Sequence, residues 1–506
     1  MQRQEIMKLQ ALVQDLQIKQ SQGELQTPIL GLAHHSRKVA PGFMFTCIVG
    51  YKVDGHNYIL QAVEQGAAAL LVEKDPTALG LPPEVLDKVC WVQVDNTRTA
   101  LAWVSARFYQ FPAQKMTMIG VTGTNGKTTS THLIEALLKA RGHRVGLIGT
   151  IHSKIGEEVL PVNNTTPLPL ELQQLLAKMV DKGADYGVME VSSHALELGR
   201  VEAIEFDIAV FTNLTQDHLD FHENMEAYLA AKTKLFSGLN PTGGKAHPKY
   251  GIINIDDPAG RFIQGKSRGQ VLTYGIKSEA TVKASNVLVK ASGVSFGVTT
   301  PWGKADFKLR MTGIFSVYNA LAAICVGLLE KIDLGEIKQV LEGVTGVPGR
   351  FELIDEGQSF GVIVDYAHTP DSLENVLHTA NQFVLGRIIT VFGCGGDRDR
   401  TKRPIMGSIA ARLSDYTIIT SDNPRSEDPV VIIEEIEAGI RDFVGSEQYA
   451  KVLDRREAIA YAISMAGPED LVLIAGKGHE SYQIIGDKTL PFDDRAVARQ
   501  CLQTGG

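Results

Sequence analysis

Cysteine is scarce in this chain: five residues, Cys47, Cys90, Cys325, Cys394 and Cys501, among 506. They are odd in number, widely scattered and without metal-ligand spacing, which suits a reducing compartment. Basic charge is not in excess either. The 50 Lys+Arg against 58 Asp+Glu give a formal net charge of −8, which argues against a general nucleic-acid binder while leaving room for a locally basic pocket. Long apolar runs are absent, so no stretch is fit to span a bilayer. Met1 to Gln20 is polar, with Leu9, Leu12, Val13 and Leu16 at helical spacing instead of the apolar core of a signal peptide. A cytoplasmic protein is the expectation. Internal repeats and low-complexity tracts are also missing. What remains, 44% hydrophobic and 21% charged, is ordinary globular composition, and the length implies about two to four domains.

What the chain does have is a phosphate-binding signature. Met118-Ile119-Gly120-Val121-Thr122-Gly123-Thr124-Asn125-Gly126-Lys127-Thr128-Thr129 runs from strand formers into glycines, then a lysine and threonines, then a helical pattern. Leu133, Ile134, Leu137 and Leu138 give that helix an apolar face, and Gly142 stands where a C-terminal cap is expected. Strand, glycine turn and helix N-terminus make an anion cradle. Backbone N–H groups converge, the helix dipole adds positive potential, Lys127 adds a point charge, and the Thr128 hydroxyl can ligate Mg²⁺. The loop departs from the common G-x-x-x-x-G-K-[ST], whose first glycine would fall at Val121. Binding of a nucleoside triphosphate is the expectation.

Around this loop the pattern is α/β. Gly42–Val49 and Ala67–Val72 read as strands and Tyr58–Gly66 as a helix. Further strands are expected at Arg144–Gly149, Tyr186–Val191, Ile208–Asn213 and Gly251–Asp256, and then at Gly361–Asp365, Arg387–Phe392, Tyr416–Thr420 and Asp470–Ala475. Helical patterns separate them, which implies parallel sheets whose carboxyl ends bind ligands. Boundaries are expected near Phe111-Pro112-Ala113-Gln114 and Gly346-Val347-Pro348-Gly349, giving units 1–113, 114–346 and 347–506.

Several clusters follow those strands. Glu190, at a strand end after a phosphate loop, is placed to hold Mg²⁺, although a buried structural acid would read the same. Asp217-His218-Leu219-Asp220-Phe221-His222 reads either as a metal site or as a polar loop. Lys232, in a helical stretch from about Met225, reads alone as a solvated surface lysine. Farther on come Asp365-Tyr366-Ala367-His368-Thr369-Pro370, Gly393 to Asp399, Ser421-Asp422-Asn423-Pro424-Arg425 and Gly476-Lys477-Gly478-His479-Glu480. All should line one rim, where an arginine in a proline turn can grip a carboxylate with two hydrogen bonds.

Together these residues resemble the Mur ligases, cytoplasmic ATP-dependent amide-forming enzymes of peptidoglycan synthesis. The resemblance runs from about Gly31 to Arg495. It implies three domains: a central parallel-sheet P-loop ATPase domain between an N-terminal α/β uridine-nucleotide domain and a C-terminal Rossmann-like domain. It implies ATP at Gly123, Thr124, Asn125, Gly126, Lys127, Thr128 and Thr129, with Asn319, Arg350, Asp365 and His368 around the nucleotide. Mg²⁺ would be held by Thr128 and Glu190, and a second Mg²⁺ by His218 and by Lys232 carrying a CO₂-derived carbamate. By the same resemblance Ser36, Lys52, Asn164, Thr165, Thr166, Ser192 and Arg200 would hold a UDP-muramoyl dipeptide. Here His35-Ser36-Arg37 stands for the family's Asp-Ser-Arg, and Ser316 for its first asparagine before Asn319. Arg398, Asp422, Asn423, Arg425, Gly476 and Glu480 would receive the incoming amino acid, and Asp-Asn-Pro-Arg in this family is associated with meso-diaminopimelate. The implied reaction is amide formation through an acyl phosphate, by a monomer with no nucleic-acid partner; Lys127, Glu190, His218 and Lys232 are its implied catalytic residues. L-lysine as the added amino acid, a folylpolyglutamate-synthetase-like ligase and a slowly hydrolysing scaffold are the rival readings.

Overall fold

The computed structural model describes residues 6–50, 53–160, 164–219, 221–290 and 292–504. Strands apolar on both faces must be covered twice, and the central region meets that need with helices on each side. Along Thr117–Thr122 the side chains alternate. Ile119 and Val121 join a cluster with Leu133, Ile134, Leu137 and Leu138, whereas Met118 joins another with Leu172, Leu176 and Met179. Helix Lys127–Ala140 therefore covers one face and helix Pro169–Asp181 the other. Each leucine so buried contributes about 2 kcal/mol.

The central sheet has 11 strands among the described residues. Its parallel body runs side by side through Val145–Ile148, Tyr186–Glu190, Thr117–Thr122, Ile208–Phe211, Tyr250–Asn254, Gln270–Gly275 and Val282–Lys290. From Thr117–Thr122 the chain goes first to one side and later to the other. A crevice therefore opens at the carboxyl end of that strand, where the glycine loop lies. Antiparallel strands finish both edges.

The N-terminal sheet runs Gln20–Gln22, Cys90–Gln93, Ala69–Val72, Phe43–Thr46, Gly31–Ala33, parallel after its first strand. Its core takes in Leu170 from the central helix Pro169–Asp181, so the two units share an apolar contact. The C-terminal sheet runs Glu352–Leu353, Gly361–Asp365, Leu471–Ala475, Ile388–Phe392, Tyr416–Ile419, Tyr449–Lys451, again parallel after its first strand. Parallel direction brings the ends of these strands, with Asp365, Gly393, Ser421 and Gly476 just beyond, to one rim. The helix expected over Tyr58–Gly66 is Ile59–Glu64, entered through a 3-10 turn at Gly55–Tyr58. Among the described residues no helix is long and apolar enough to cross a membrane.

Candidate active site

The glycine loop closes around its own helix start. Gly126 caps helix Lys127–Ala140 at φ +84, and a Cβ there would stand 2.4 Å from Asn319 Oδ1. Any side chain would be both strained and obstructed. Asn319 is buried on helix Ile314–Leu329 and accepts from Ser130 Oγ at 3.3 Å. The Asn125 N–H donates to Asn213 Oδ1 at 2.8 Å. Lys127 Nζ folds back onto the carbonyls of Gly123 and Thr124, at 2.9 and 2.8 Å. Burial lowers its pKa, opposed by Glu190 and Asp217 and assisted by Arg350.

Glu190 is fully buried at the end of its strand and held from two sides. Its Oε2 accepts from Thr128 Oγ1 at 3.0 Å and Thr150 Oγ1 at 2.9 Å, and its Oε1 from the Thr150 N–H at 2.8 Å. The carboxylate therefore faces the first turn of the phosphate helix. Thr166 Oγ1 donates to the Glu190 carbonyl at 2.8 Å and accepts from the Ser192 N–H at 3.1 Å, while Arg200 Nη1 donates to the Thr166 carbonyl at 2.9 Å.

Lys232 is not the solvated surface residue that its isolated sequence context suggests. It is 1% exposed, with Nζ 4.3 Å above the Tyr228 ring and no hydrogen bond or ion pair to the described residues. Desolvation, with Lys127 nearby, pushes its pKa well below the ordinary lysine value; Asp217 only partly opposes this. His218 also lies near Tyr228, ring centroids 6.1 Å apart, paired with Asp217 at 3.3 Å and edge-on to His194 at 4.8 Å. Its φ of +55 is a left-handed conformation uncommon outside glycine. Among the described residues no group of three or more His, Cys, Asp or Glu side chains is arranged to hold a metal. Asp220 lies outside the described residues.

The third domain reaches the same place. Arg350 Nη2 donates to Thr128 Oγ1 at 3.2 Å, and its guanidinium lies 4.6 Å over the Tyr366 ring. Asp365 accepts from the Phe351 N–H at 2.6 Å, and burial pushes its pKa up to about 6, against the pull of Arg350. Asp371, in the first turn of helix Pro370–Asn381, accepts from Asn125 Nδ2 at 2.7 Å and Thr215 Oγ1 at 2.8 Å. Lys127, Thr128, Glu190, Arg350, Asp365 and Tyr366 line one cavity of about 700 Å³, together with Asn164, Thr165, Ser192, His194, Arg200, His218, Asn319 and His368. Its walls are an anion cradle, a buried acid and a cation from a second domain, which suits alignment of a triphosphate with a carboxylate nucleophile.

Family models match three consecutive segments: the Mur ligase family catalytic domain at residues 28–109, the Mur ligase middle domain at 121–327, and the Mur ligase glutamate ligase domain at 349–478. The chain belongs to the Mur ligase family. It is 48% identical over 475 residues to the UDP-N-acetylmuramoyl-L-alanyl-D-glutamate–2,6-diaminopimelate ligase of Geobacillus thermodenitrificans, covering 94% of this chain and 95% of that one. It is 48% identical over 497 residues to the enzyme of the same name from Syntrophomonas wolfei, covering 98% and 99%. A solved structure of a ligase of that name superposes with a TM-score of 0.69 at 31% identity, covering 99% of both chains.

In this Mur ligase the residues expected to receive the amino acid come together in part, at the rim of the C-terminal sheet. Asn423 Nδ2 donates to Glu480 Oε2 at 2.9 Å, and buried Lys477 donates to both Glu480 Oε2 and Asn423 Oδ1. A Cβ on Gly476 would meet Asp422 Oδ2. Arg425 and Arg398 both lie close enough to Tyr482 to act on its phenol, yet Arg398 is exposed and its Nη1 turns to the Asp397 carbonyl at 2.9 Å. Ser36 is buried in the N-terminal unit and does not line the central cavity. Lys52 lies outside the described residues. Sequence reasoning missed Thr150, although it follows a strand end, and Asp371, although it follows the Asp365–Pro370 segment directly. Both act through contacts with residues distant in the chain.

Proposed function

We propose that this chain adds 2,6-diaminopimelate to UDP-N-acetylmuramoyl-L-alanyl-D-glutamate, using ATP, in peptidoglycan synthesis. The observation that carries this reading is the convergence of Lys127, Thr128 and Glu190 with Arg350 of the next domain on one cavity. Extensive identity to named diaminopimelate ligases supports the choice of substrates. The units 1–113, 114–346 and 347–506 take the uridine nucleotide, ATP and the amino acid respectively. The enzyme works as a cytoplasmic monomer.

The dipeptide carboxylate attacks the γ-phosphorus of ATP, forming an O–P bond as the bond to ADP breaks. The diaminopimelate amine then attacks the acyl carbon, passes through a tetrahedral intermediate and expels phosphate. Because a carboxylate must approach a polyanion, neutralising and aligning charge is the main task. Gly123 to Thr129 cradle the phosphates with Lys127 as cation, while Asn319, Arg350, Asp365 and His368 enclose the nucleotide. Ser36 and Lys52 hold the uridine diphosphate end; Asn164, Thr165, Thr166, Ser192 and Arg200 orient the dipeptide. His194, on the cavity wall, is the candidate base for the amine.

Two further groups fit the residues present. Thr128 Oγ1 and the Glu190 carboxylate, 3.0 Å apart, are the hard oxygen ligands Mg²⁺ prefers and would hold it there. Mg²⁺ bound there supplies positive charge against the triphosphate. Lys232 has the features of a carbamylated lysine. Only the neutral amine attacks CO₂, and burial beside a second ammonium favours that neutral form. The carbamate is anionic and would join His218 in holding a second Mg²⁺.

Arg425, with Asp422, Asn423, Gly476, Glu480 and Arg398, receives the distal carboxylate of diaminopimelate, which lysine lacks. A closed site built on such a pairing discriminates by about 10⁴. Mass spectrometry of the product from ATP, the UDP-muramoyl dipeptide and diaminopimelate tests the proposal. The tripeptide adduct is expected, with phosphate release requiring both acceptor and amino acid. Phosphate release indifferent to both would reject it.

A further inference from the structure

Beneath the amino-acid cluster lies a buried cation with no part in the scheme above. Arg403, on helix Lys402–Leu413, has a fully buried side chain. Its Nη1 and Nη2 donate to Glu427 Oε2 and Oε1, both at 2.9 Å, in the bidentate geometry that fixes a guanidinium plane. Nη1 also reaches Glu435 Oε2 at 2.6 Å, and Nη2 the Gly395 carbonyl at 3.2 Å. Glu427 Oε1 in turn accepts from the Asp397 N–H at 2.6 Å, and Asp397 Oδ1 from Ser426 Oγ at 2.6 Å. One guanidinium thus ties together the loop after Ile388–Phe392 and the loop after Tyr416–Ile419.

The Arg425 side chain is anchored across that seam. Its Nη1 donates to the Gly396 carbonyl at 2.7 Å, while Nε and Nη2 have no hydrogen bond to the described residues. The seam has no slack. A Cβ on Gly396 would stand 1.9 Å from the Pro424 carbonyl oxygen, and Arg425 itself sits at φ +52. Such a conformation persists only where the surroundings enforce it. A fork whose outer donors are free but whose stem is fixed is prepared to meet a planar carboxylate.

We propose that Arg403, acting through Glu427, is the positioning residue that fixes the orientation of the Arg425 fork and thereby sets selection of the incoming amino acid. This rests on the reading of Arg425 as the contact to the distal carboxylate. Glu427→Gln loses the charge-assisted bidentate pair at nearly constant volume. Arg403→Lys keeps the cation without the fork.

Steady-state ligation by the full chain tests the bracket, each substrate being varied in turn. Both variants are expected to raise KM for diaminopimelate about tenfold or more, with kcat within about threefold and KM for ATP within about twofold. The ratio of kcat/KM for diaminopimelate over lysine is expected to fall by a similar factor. Glu435→Gln, which leaves the Glu427 pair intact, is expected to move neither. An unchanged amino-acid KM in Glu427→Gln, or an equal loss for every substrate, overturns the bracket. If the wild-type enzyme uses lysine as well as diaminopimelate, the substrate reading fails instead. The bracket is then judged by the same KM shift on the amino acid that is used.

Discussion

A buried lysine with no ion pair weakens a fold, and Lys232 has none among the described residues, Asp217 opposing its desolvation only in part. Its lowered pKa means that the unfolded chain binds a proton the folded chain does not, so the cost is present below the ordinary lysine range and fades as pH rises towards it. Lys232→Met, compared in CO₂-depleted buffer at pH 7, is expected to be more stable than wild type by about 1–3 kcal/mol, while ligation is abolished. Denaturant unfolding reads the first and product formation the second; a less stable or fully active variant would remove the case for a carbamate. Asp365 has the opposite sign. Its pKa is raised to about 6 by burial, so the folded chain binds the extra proton and stability falls as pH rises from about 4 to about 6. Arg350 faces this carboxylate, and activity should decline below about pH 6 as the charge is lost. That limb of the pH–rate profile should be absent from Asp365→Asn, whatever its remaining rate. Neither lysine burial nor the raised acid was legible in sequence, because each depends on what surrounds the residue in space.

At the scale of elements, local pattern was a good guide wherever one segment decides the outcome. The run Met118–Thr129 folds as strand, glycine turn and helix because its periodicity and glycines allow little else, and the helix expected from about Met225 begins at that residue. The pairing of Glu190 with Thr150 was not readable, because it joins neighbouring strand ends that are 40 positions apart in the chain. The same holds for Asp371, which links helix Pro370–Asn381 to Asn125 on the phosphate loop across 246 positions. This carboxylate joins the third domain to the cradle through hydrogen bonds to Asn125 and Thr215. Asp371→Ala is expected to lower kcat/KM for ATP about tenfold, the value of roughly 1.4 kcal/mol of lost interaction. Kinetics indistinguishable from wild type would show that the link does not contribute. In the apolar layer, Leu137→Ala should cost about 2–5 kcal/mol of stability without changing KM for any substrate, since Leu137 faces the sheet core and not the cavity.

Over the whole molecule, the three-domain α/β fold puts the glycine loop on the central sheet and the Asn423–Lys477–Glu480 cluster on the C-terminal sheet. Arg350 of the third domain lines the cavity beside Thr128, and Asp371 ties the same domain to the central loop through Asn125. A carboxylate aligned against a triphosphate there has one productive outcome, transfer of the γ-phosphoryl group to the carboxylate oxygen. Ligation with a UDP-muramoyl dipeptide whose reacting carboxylate carries ¹⁸O measures this directly. An acyl phosphate delivers one labelled oxygen to the phosphate released, as the C–O bond breaks on amine attack. Phosphate carrying that single ¹⁸O is the expected result; unlabelled phosphate accompanying full amide formation would contradict activation of the acyl group by ATP.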